Sequence, residues 1–235
     1  MLAVVAPAVS ANAFRRPSFL NDASHNVGLT LEGPKPRLYA YTSLRNLDEA
    51  IRRSAKDGWL KMLGAKAGLE DLMHVKSWEG LKQWVAGHWG VVVEAAVRRL
   101  GEEIRSELEA LRDRLNDDKV AREVVAPALL LIQAERLGVN EVTLKYFGAV
   151  VSGAIDGDGY VSAAMKIIEL ASGKLEVALL WAAALAAHSI RTKMGGAGSA
   201  LKVIVSGDDA VKLAGIYFLC GHPLLEGGDE RVIAG

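Results

Sequence analysis

Apolar residues recur at helical spacing between residues 89 and 115, and charged residues fill most of the positions between them. Successive steps are four, three, four, four, three and four residues, through Val93, Val97, Leu100, Ile104, Leu108, Leu111 and Leu115. Such a stripe predicts one long amphipathic helix over 89–115. The stripe could pair with a second copy of the chain or pack against residues 120–137, and packing within one chain is the simpler interpretation.

The apolar segment at 120–137 is also typical of a helix. Asn116, Asp117 and Asp118 precede it, and they predict a turn whose side chains cap the helix. Pro127 lies inside the segment. Because proline has no backbone N–H, we expect it to kink or interrupt this helix.

The pattern at the amino-terminal end is less regular. Four prolines and mixed polarity predict a loosely ordered segment over residues 1–36, with a short strand at 28–32. Aromatic and β-branched residues predict a second strand at 37–43. Several glycines divide the residues that follow into short helical pieces, so 37–137 is predicted to be a mainly helical region.

The pattern changes again after residue 137, where helical and extended segments alternate. We predict a helix at 141–155 capped by Asn140, one extended strand within 160–171, and a strongly apolar helix at 174–190. A hairpin of 192–194 with 201–206 and a last helix at 210–219 follow. The sequence therefore predicts an α+β protein, with a unit at 138–225 ordered helix, strand, helix, strand, strand, helix, and a tail at 226–235.

Composition excludes some classes of function and says less about the fold. The 235 residues carry a formal net charge of zero, and residues 143–235 contain eight Lys and Arg against nine Asp and Glu. This balance argues against a strong nonspecific binder of nucleic acid, which needs a surplus of cations on one face. The single cysteine, Cys220, excludes a disulfide framework and a cysteine-based zinc site.

Tryptophans are concentrated between residues 59 and 89, where they could stack on bases or fill a core. Apolar neighbours favour the core, as expected for Trp59, Trp78, Trp84 and Trp89. No apolar run is long enough for a convincing transmembrane helix. We therefore expect a cytoplasmic protein without a membrane partner, and no motif indicates a small-molecule ligand.

Residues 151–159 read Val-Ser-Gly-Ala-Ile-Asp-Gly-Asp-Gly, so an apolar helix is predicted to run into two acids separated by glycine. A carboxylate delivered to a fixed point by a helix end could hold a divalent cation. The preceding turns carry small residues that would let a second helix backbone approach closely, namely Gly148, Ala149, Ser152 and Gly153. Two other interpretations stay open: a calcium loop over 154–165 that lacks acids at its first and last positions, and a plain turn from helix to strand.

The segment resembles the LAGLIDADG motif of homing endonucleases. The match covers Gly153 and Ile155–Gly159, and the segment departs from the motif at Val151 and Ser152. In that family the unit is ordered helix, two strands, helix, two strands, helix, and its sheet lies in a groove of the DNA. The single strand predicted at 160–171 is one strand short of that order.

The resemblance implies roles for particular residues. Asp158 corresponds to the second acid of the motif, which is catalytic and binds Mg²⁺, and Asp156 corresponds to the first, a lesser metal ligand. Gly157 and Gly159 are implied to let the chain turn sharply at the helix end. One motif per chain implies a homodimer acting on double-stranded DNA, with Lys166, Lys193 and Lys202 as candidate cations near the cleaved phosphate.

A longer part of the chain, roughly 27–230, resembles the paREP proteins of the two-b class, a repeated family of hyperthermophilic archaea. The resemblance lies in segments 77–89, 124–138 and 150–162. It implies a short and degenerate copy within a mobile or repeated element, and it implies no activity. The sequence thus leaves two hypotheses: a DNA-binding, LAGLIDADG-like endonuclease, or a non-catalytic protein that self-associates through 89–115.

Overall fold

The computed structural model describes residues 26–30, 37–41, 48, 51–52, 55–56, 59–66, 68–197 and 200–219. Within these, the side chains at 26–30, 37–41, 59, 149, 152, 156–158, 171, 197, 200 and 217–219 lie outside the description. Most of the segment predicted to be loosely ordered, Cys220 and the tail at 226–235 also lie outside it.

The amino-terminal strands form an antiparallel hairpin close to the predicted positions. Strand β1 spans Asn26–Thr30 and strand β2 spans Arg37–Tyr41, with Gly28 opposite Tyr39. Short helices follow, as the glycines predicted: α1 at Trp59–Gly64, a 3₁₀ turn at Glu70–His74 and α2 at Trp78–Gly87. Ser77 caps α2 by accepting a hydrogen bond from the backbone N–H of Gly80.

The prediction of one continuous helix over 89–115 is wrong. The structure has helix α3 at Trp89–Leu100, a 3₁₀ turn at Glu102–Ile104 and helix α4 at Arg105–Arg112. The break lies at Gly101, whose φ of 113° is open to glycine and strained for other residues. The apolar stripe nevertheless continues across the break, because the 3₁₀ turn returns Ile104 to the buried side.

The stripe packs within one chain, as the simpler interpretation held. Helix α5 spans Asp118–Leu137, and α3 lies against it. Asp117 caps α5 through the backbone N–H of Lys119, as predicted. We expected Pro127 to kink or interrupt this helix, and the structure shows no interruption there. The apolar stripe is therefore already packed against other residues of the same chain.

The carboxy-terminal unit has one more strand than the sequence predicted. Helix α6 spans Glu141–Asp158 and is followed by β3 at Tyr160–Ser162 and β4 at Ile167–Ser172. Helix α7 at Leu175–Ala187 leads to β5 at Lys193–Ala197, β6 at Ala200–Ser206 and helix α8 at Asp208–Leu219. The single strand expected within 160–171 is thus a hairpin, because the four residues after Ser162 form a turn.

The four strands form one antiparallel sheet in the order β3-β4-β6-β5. Helices α6, α7 and α8 contact one face of this sheet, where the inward residues are buried: Ile168, Leu170, Ser172, Val203 and Val205. The α+β prediction is confirmed. The buried core is continuous from Ile51 to Ile216, so it joins the helical region to the unit. Within the described residues, no helix is both long enough and apolar enough to cross a membrane.

Candidate nucleic-acid interface

Helix α6, which carries the motif, begins at a complete capping box. Asn140 Oδ1 accepts from the backbone N–H groups of Val142 and Thr143, and Thr143 Oγ1 accepts from the N–H of Asn140 at 2.8 Å. The predicted cap is therefore confirmed. Past the cap, two apolar pairs one turn apart anchor the helix in the core: Tyr146, Phe147, Val150 and Val151.

The helix ends at Asp158, three residues beyond the predicted end, so both acids of the motif belong to its last turn. Positions 156 and 158 are about 200° apart around a helix axis. The backbone therefore does not bring Asp156 and Asp158 to one side of the helix. Both are carboxylates, which are oxygen ligands of the type that Mg²⁺ prefers.

Metal ligands are not grouped elsewhere in the described part of the chain. Among the side chains that the structure describes, which exclude Asp156 and Asp158, no three His, Cys, Asp or Glu residues lie together. A Mg²⁺ site at the end of α6 therefore needs oxygen ligands from outside this group, such as phosphate oxygens or a second chain. The role of Asp158 as a metal ligand stays a prediction.

Gly159 joins α6 to the sheet where there is no room for a side chain. A Cβ at this position would lie 2.6 Å from both Cα and O of Ile155, and 2.9 Å from the backbone O of Glu169. Its φ of −88° is open to any residue. Glycine is thus required for the close approach of helix and strand, and the left-handed conformation is not involved.

The described small residues of α6, Gly148 and Gly153, are at least partly covered by the same chain. Gly148 is buried and Gly153 is partly buried, whereas the side chain of Ser152 lies outside the description. Helix α6 packs against α8 and α5. The predicted close packing therefore has partners within the chain, and packing against a second copy stays a prediction.

The calcium-loop interpretation does not fit the structure. Its twelve positions would run from 154 to 165, but residues 154–158 are helical and 160–162 are a strand. An EF-hand loop needs these positions to wrap around the ion. The interpretation as a turn from helix to strand is compatible with the structure, and it does not exclude a function for the acids.

The outer face of the sheet lies next to the motif in the chain. Pairing in register defines a row across the sheet, in which Tyr160 faces Glu169, Glu169 faces Ile204, and Ile204 faces Lys193. Side chains on this face are exposed or half-buried, in contrast to the buried inward set. Asp158 lies two residues before Tyr160, so the motif ends at one edge of this row.

Charges on the outer face are sparse and ordered. Lys202 Nζ lies 2.6 Å from Glu169 Oε2, and these two residues stand on the two central strands. Lys193 begins the edge strand β5, and Lys166 lies in the turn between β3 and β4. Among the described residues neither of these two lysines has an ion-pair partner. The centre of the face is thus neutral, and its free cations lie at the periphery.

Glu169 was missed by sequence reasoning. Its signal is the alternation of Ile168, Glu169 and Leu170 within one strand, in which the middle residue must point away from the core. That signal requires the strand boundaries, and these were predicted wrongly here.

The tryptophans do not form a base-stacking surface. Trp78, Trp84 and Trp89 are buried, and the side chain of Trp59 lies outside the description. Trp89 Nε1 donates to the backbone O of Leu108 at 2.8 Å, which ties α3 to α4. The prediction that these residues belong to the core is therefore confirmed for the three described side chains.

A cavity of about 410 Å³ lies between α3 and α4, far in sequence from the motif. Arg105 lines it and is held by Glu94 at 2.6 Å, by Glu102 and by Glu109. Because three carboxylates already bind this guanidinium, the cavity is not arranged to receive a charged ligand.

Comparison of the chain with protein-family models, with curated proteins and with solved structures gave no match.

Proposed function

We propose that the carboxy-terminal unit is a double-stranded DNA-binding module of the LAGLIDADG type, whose outer sheet face lies in a groove of the DNA. The observation that carries this proposal is the order of elements. With the hairpin at 160–172, the unit has helix, two strands, helix, two strands, helix. This is the order that the motif resemblance implies, and it removes the departure expected from the sequence.

The arrangement of charges supports a groove rather than a broad phosphate surface. Free lysines at the periphery, Lys166 and Lys193, are in a position to meet the two phosphate backbones. The major groove is about 12 Å wide, and neighbouring strands are about 4.8 Å apart. Two central strands therefore fit between the backbones, while the edge strand and the turn reach toward them. The overall charge of zero implies that binding is weak without a matching sequence.

The first experiment measures binding of purified protein to mixed-sequence duplex DNA by fluorescence anisotropy as a function of salt. Removal of one phosphate contact by Lys193→Gln or Lys166→Gln should reduce the slope of log K against log salt by about 0.9. Lys119→Gln is the matched control, because Lys119 is an exposed lysine of the helical region without an ion-pair partner among the described residues. Failure to retain duplex DNA at low salt, or equal losses in all three variants, would refute the proposal.

Cleavage of the DNA is a finer proposal on the same site. Asp158 ends the helix two residues before the outer row of the sheet, where a groove-bound backbone would pass. In a homodimer, two copies of Asp158 and the phosphate oxygens would hold the metal. Mg²⁺ bound there would stabilise negative charge on the phosphate. We also propose that the chain is a paREP-like protein of an archaeal repeated element and that it is cytoplasmic. These proposals do not bear on the chemistry of the site.

Cleavage is tested on a randomised plasmid library with and without Mg²⁺. Metal-dependent cuts should vanish in Asp158→Asn and persist at a reduced level in Asp156→Asn. Both variants remove one negative charge from the same helix turn, so a difference in cleavage between them shows that the position of the carboxylate matters and not the charge alone. Equal activity of Asp158→Asn and the unaltered protein would rule out this role and leave DNA binding as a separate question.

Self-association through 89–115, the alternative function, has less support, because the last part of the stripe is covered within one chain. Leu108, Leu111 and Leu115 are 0–2 % exposed within one chain. Hydrophobic residues already removed from water give no further driving force for pairing. A homodimer that brings two copies of Asp158 together would use a surface near the end of α6 and not this stripe.

A further inference from the structure

The inference concerns the ion pair at the centre of the outer sheet face, and it rests on the proposed function. Glu169 stands on β4 and Lys202 on β6, the two central strands, at diagonal positions of the register. Their charged atoms are 2.6 Å apart, and the side chains are 19 % and 37 % exposed. The pair therefore presents one acceptor and one donor side by side in the middle of the face.

A carboxylate at this position decides what the centre of the face can meet. The centre of the face is neutral and offers phosphate oxygens no unpaired cation, whereas the cations that can neutralise phosphates lie at the turn and the edge strand. If the face binds DNA, its centre must therefore lie over base edges. Base edges carry sequence information, so the pair is placed to contribute specificity rather than affinity.

The donor and the acceptor match one kind of base pair best. Guanine presents two acceptors in the major groove, O6 and N7, which suit a lysine donor, and cytosine presents the N4 amino group, which suits a carboxylate acceptor. In an A·T pair each base presents a single acceptor, N7 beside the amino group of adenine and O4 beside the methyl group of thymine, so a lysine cannot contact two acceptors of one base there. We propose that Glu169 and Lys202 together read a G·C base pair, with Lys202 on guanine and Glu169 on cytosine.

The ion pair must open to do this. The pair is partly buried, and its mutual hydrogen bond would be exchanged for hydrogen bonds of the same kind to base edges. Another lysine–carboxylate pair serves as the control: Lys145 Nζ also lies 2.6 Å from Glu141 Oε1, on the start of α6. It has the same functional groups, but it is more exposed and is not on the sheet.

The test is selection of bound duplexes from a randomised library with the full chain, followed by affinity measurements on selected sites. The unaltered protein should select sites with an invariant G·C pair, and Glu169→Met, which removes the acceptor, should lose the preference for cytosine at that pair by roughly 5- to 150-fold. Lys202→Met should lose the preference for guanine at the same pair. Glu141→Met should leave both preferences unchanged.

Three results would overturn the inference. Binding without a G·C preference that depends on Glu169 would overturn it and leave the proposed function standing, as would a shift confined to an A·T pair. Absence of any binding to duplex DNA would overturn both. Thermal unfolding of each variant, expected to stay near that of the unaltered protein, distinguishes a loss of recognition from a loss of folding.

Discussion

The helical region and the carboxy-terminal unit use polar side chains in opposite ways. In the helical region, Trp78 Nε1 and Lys82 Nζ both donate to Asp118 Oδ1 at 2.9 Å, and these bonds hold the pKa of Asp118 below its ordinary value. On the sheet, Glu169 and Lys202 pair on a face that no described helix covers. Residues that suggest chemistry in the first region are thus engaged in packing, whereas those of the second are available to a partner.

The sharpest test of this contrast removes the largest anchor of the helical region. Trp89→Ala should lower the free energy of unfolding by about 3–5 kcal/mol, because a fully buried indole leaves a cavity. Urea denaturation measures the loss. If the contrast holds, the variant should keep the DNA sequence preference of the unaltered protein at temperatures where it is folded. A changed preference would mean that the two regions are not separable in function.

A matched pair of conservative variants refines this prediction. Trp89→Phe should cost about 1–3 kcal/mol, because it leaves the Leu108 carbonyl without its donor. Trp84→Phe should cost less, because the buried Nε1 of Trp84 has no hydrogen-bond partner to lose. Equal losses in the free energy of unfolding would show that Trp89 stabilises the fold through its volume and not through its hydrogen bond.

In the carboxy-terminal unit the most sensitive point is expected at the junction of helix and sheet. Gly159→Ala should cost about 1–3 kcal/mol, because the added methyl group meets the backbone of Ile155 and Glu169. Gly173→Ala, at another turn of the same sheet, is the control, since a Cβ there meets nothing within 4 Å. If the two variants unfold at the same denaturant concentration, the close approach at Gly159 is not needed.

His188 should make the unit sensitive to acid. The side chain is buried and stacks on Phe147, with ring centroids 3.9 Å apart. Its Nδ1 bonds to the backbone O of Ala184 at 2.9 Å, and its Nε2 has no partner. Burial, and to a smaller extent the nearby charges of Arg99 and Lys212, lower its pKa to about 4.

Since the unfolded chain binds this proton near pH 6.5, stability is fully present above that pH and falls as the pH drops toward 4. Between pH 7 and pH 5 we expect a loss of about 2 kcal/mol. Urea denaturation at the two pH values measures it, beside His188→Phe. In that variant the loss over this window should largely disappear, whereas an unchanged loss would assign it to other groups.

The sequence predicted correctly those features that depend on a few neighbouring residues. Asn140 and Asp117 cap their helices as the sequence indicated, because a cap depends on a few neighbouring residues. Gly101 and the hairpin after Ser162 were missed for opposite reasons. The break at Gly101 leaves the apolar residues before and after it on the same side, so the apolar stripe in the sequence does not show it. The strand Tyr160–Ser162 has only three residues, which are too few to show an alternation of apolar and polar positions. The outer face of the sheet could not be predicted, because its rows exist only once distant strands pair.

The smallest expected effect concerns the end of α7, where the unit turns toward β5. Lys212 Nζ donates to the backbone O of Ser189 at 3.0 Å and to that of His188 at 3.4 Å, which satisfies carbonyls at the helix end. Lys212→Met should therefore cost about 1 kcal/mol, whereas Lys119→Met, on an exposed position, should cost less than about 0.5 kcal/mol.

The same substitution has a second consequence that separates the charge of Lys212 from its hydrogen bonds. Removing a positive charge near His188 weakens one of the causes that lower the pKa of this histidine, so the loss of stability between pH 7 and pH 5 should become smaller. A plain loss of hydrogen bonds would shift stability equally at both pH values. Lys212 is an exposed residue of α8, one of the helices packed on the sheet, so its replacement should leave DNA binding unaltered. A large change in DNA binding would contradict the separation between the helix side of the unit and the outer face of its sheet.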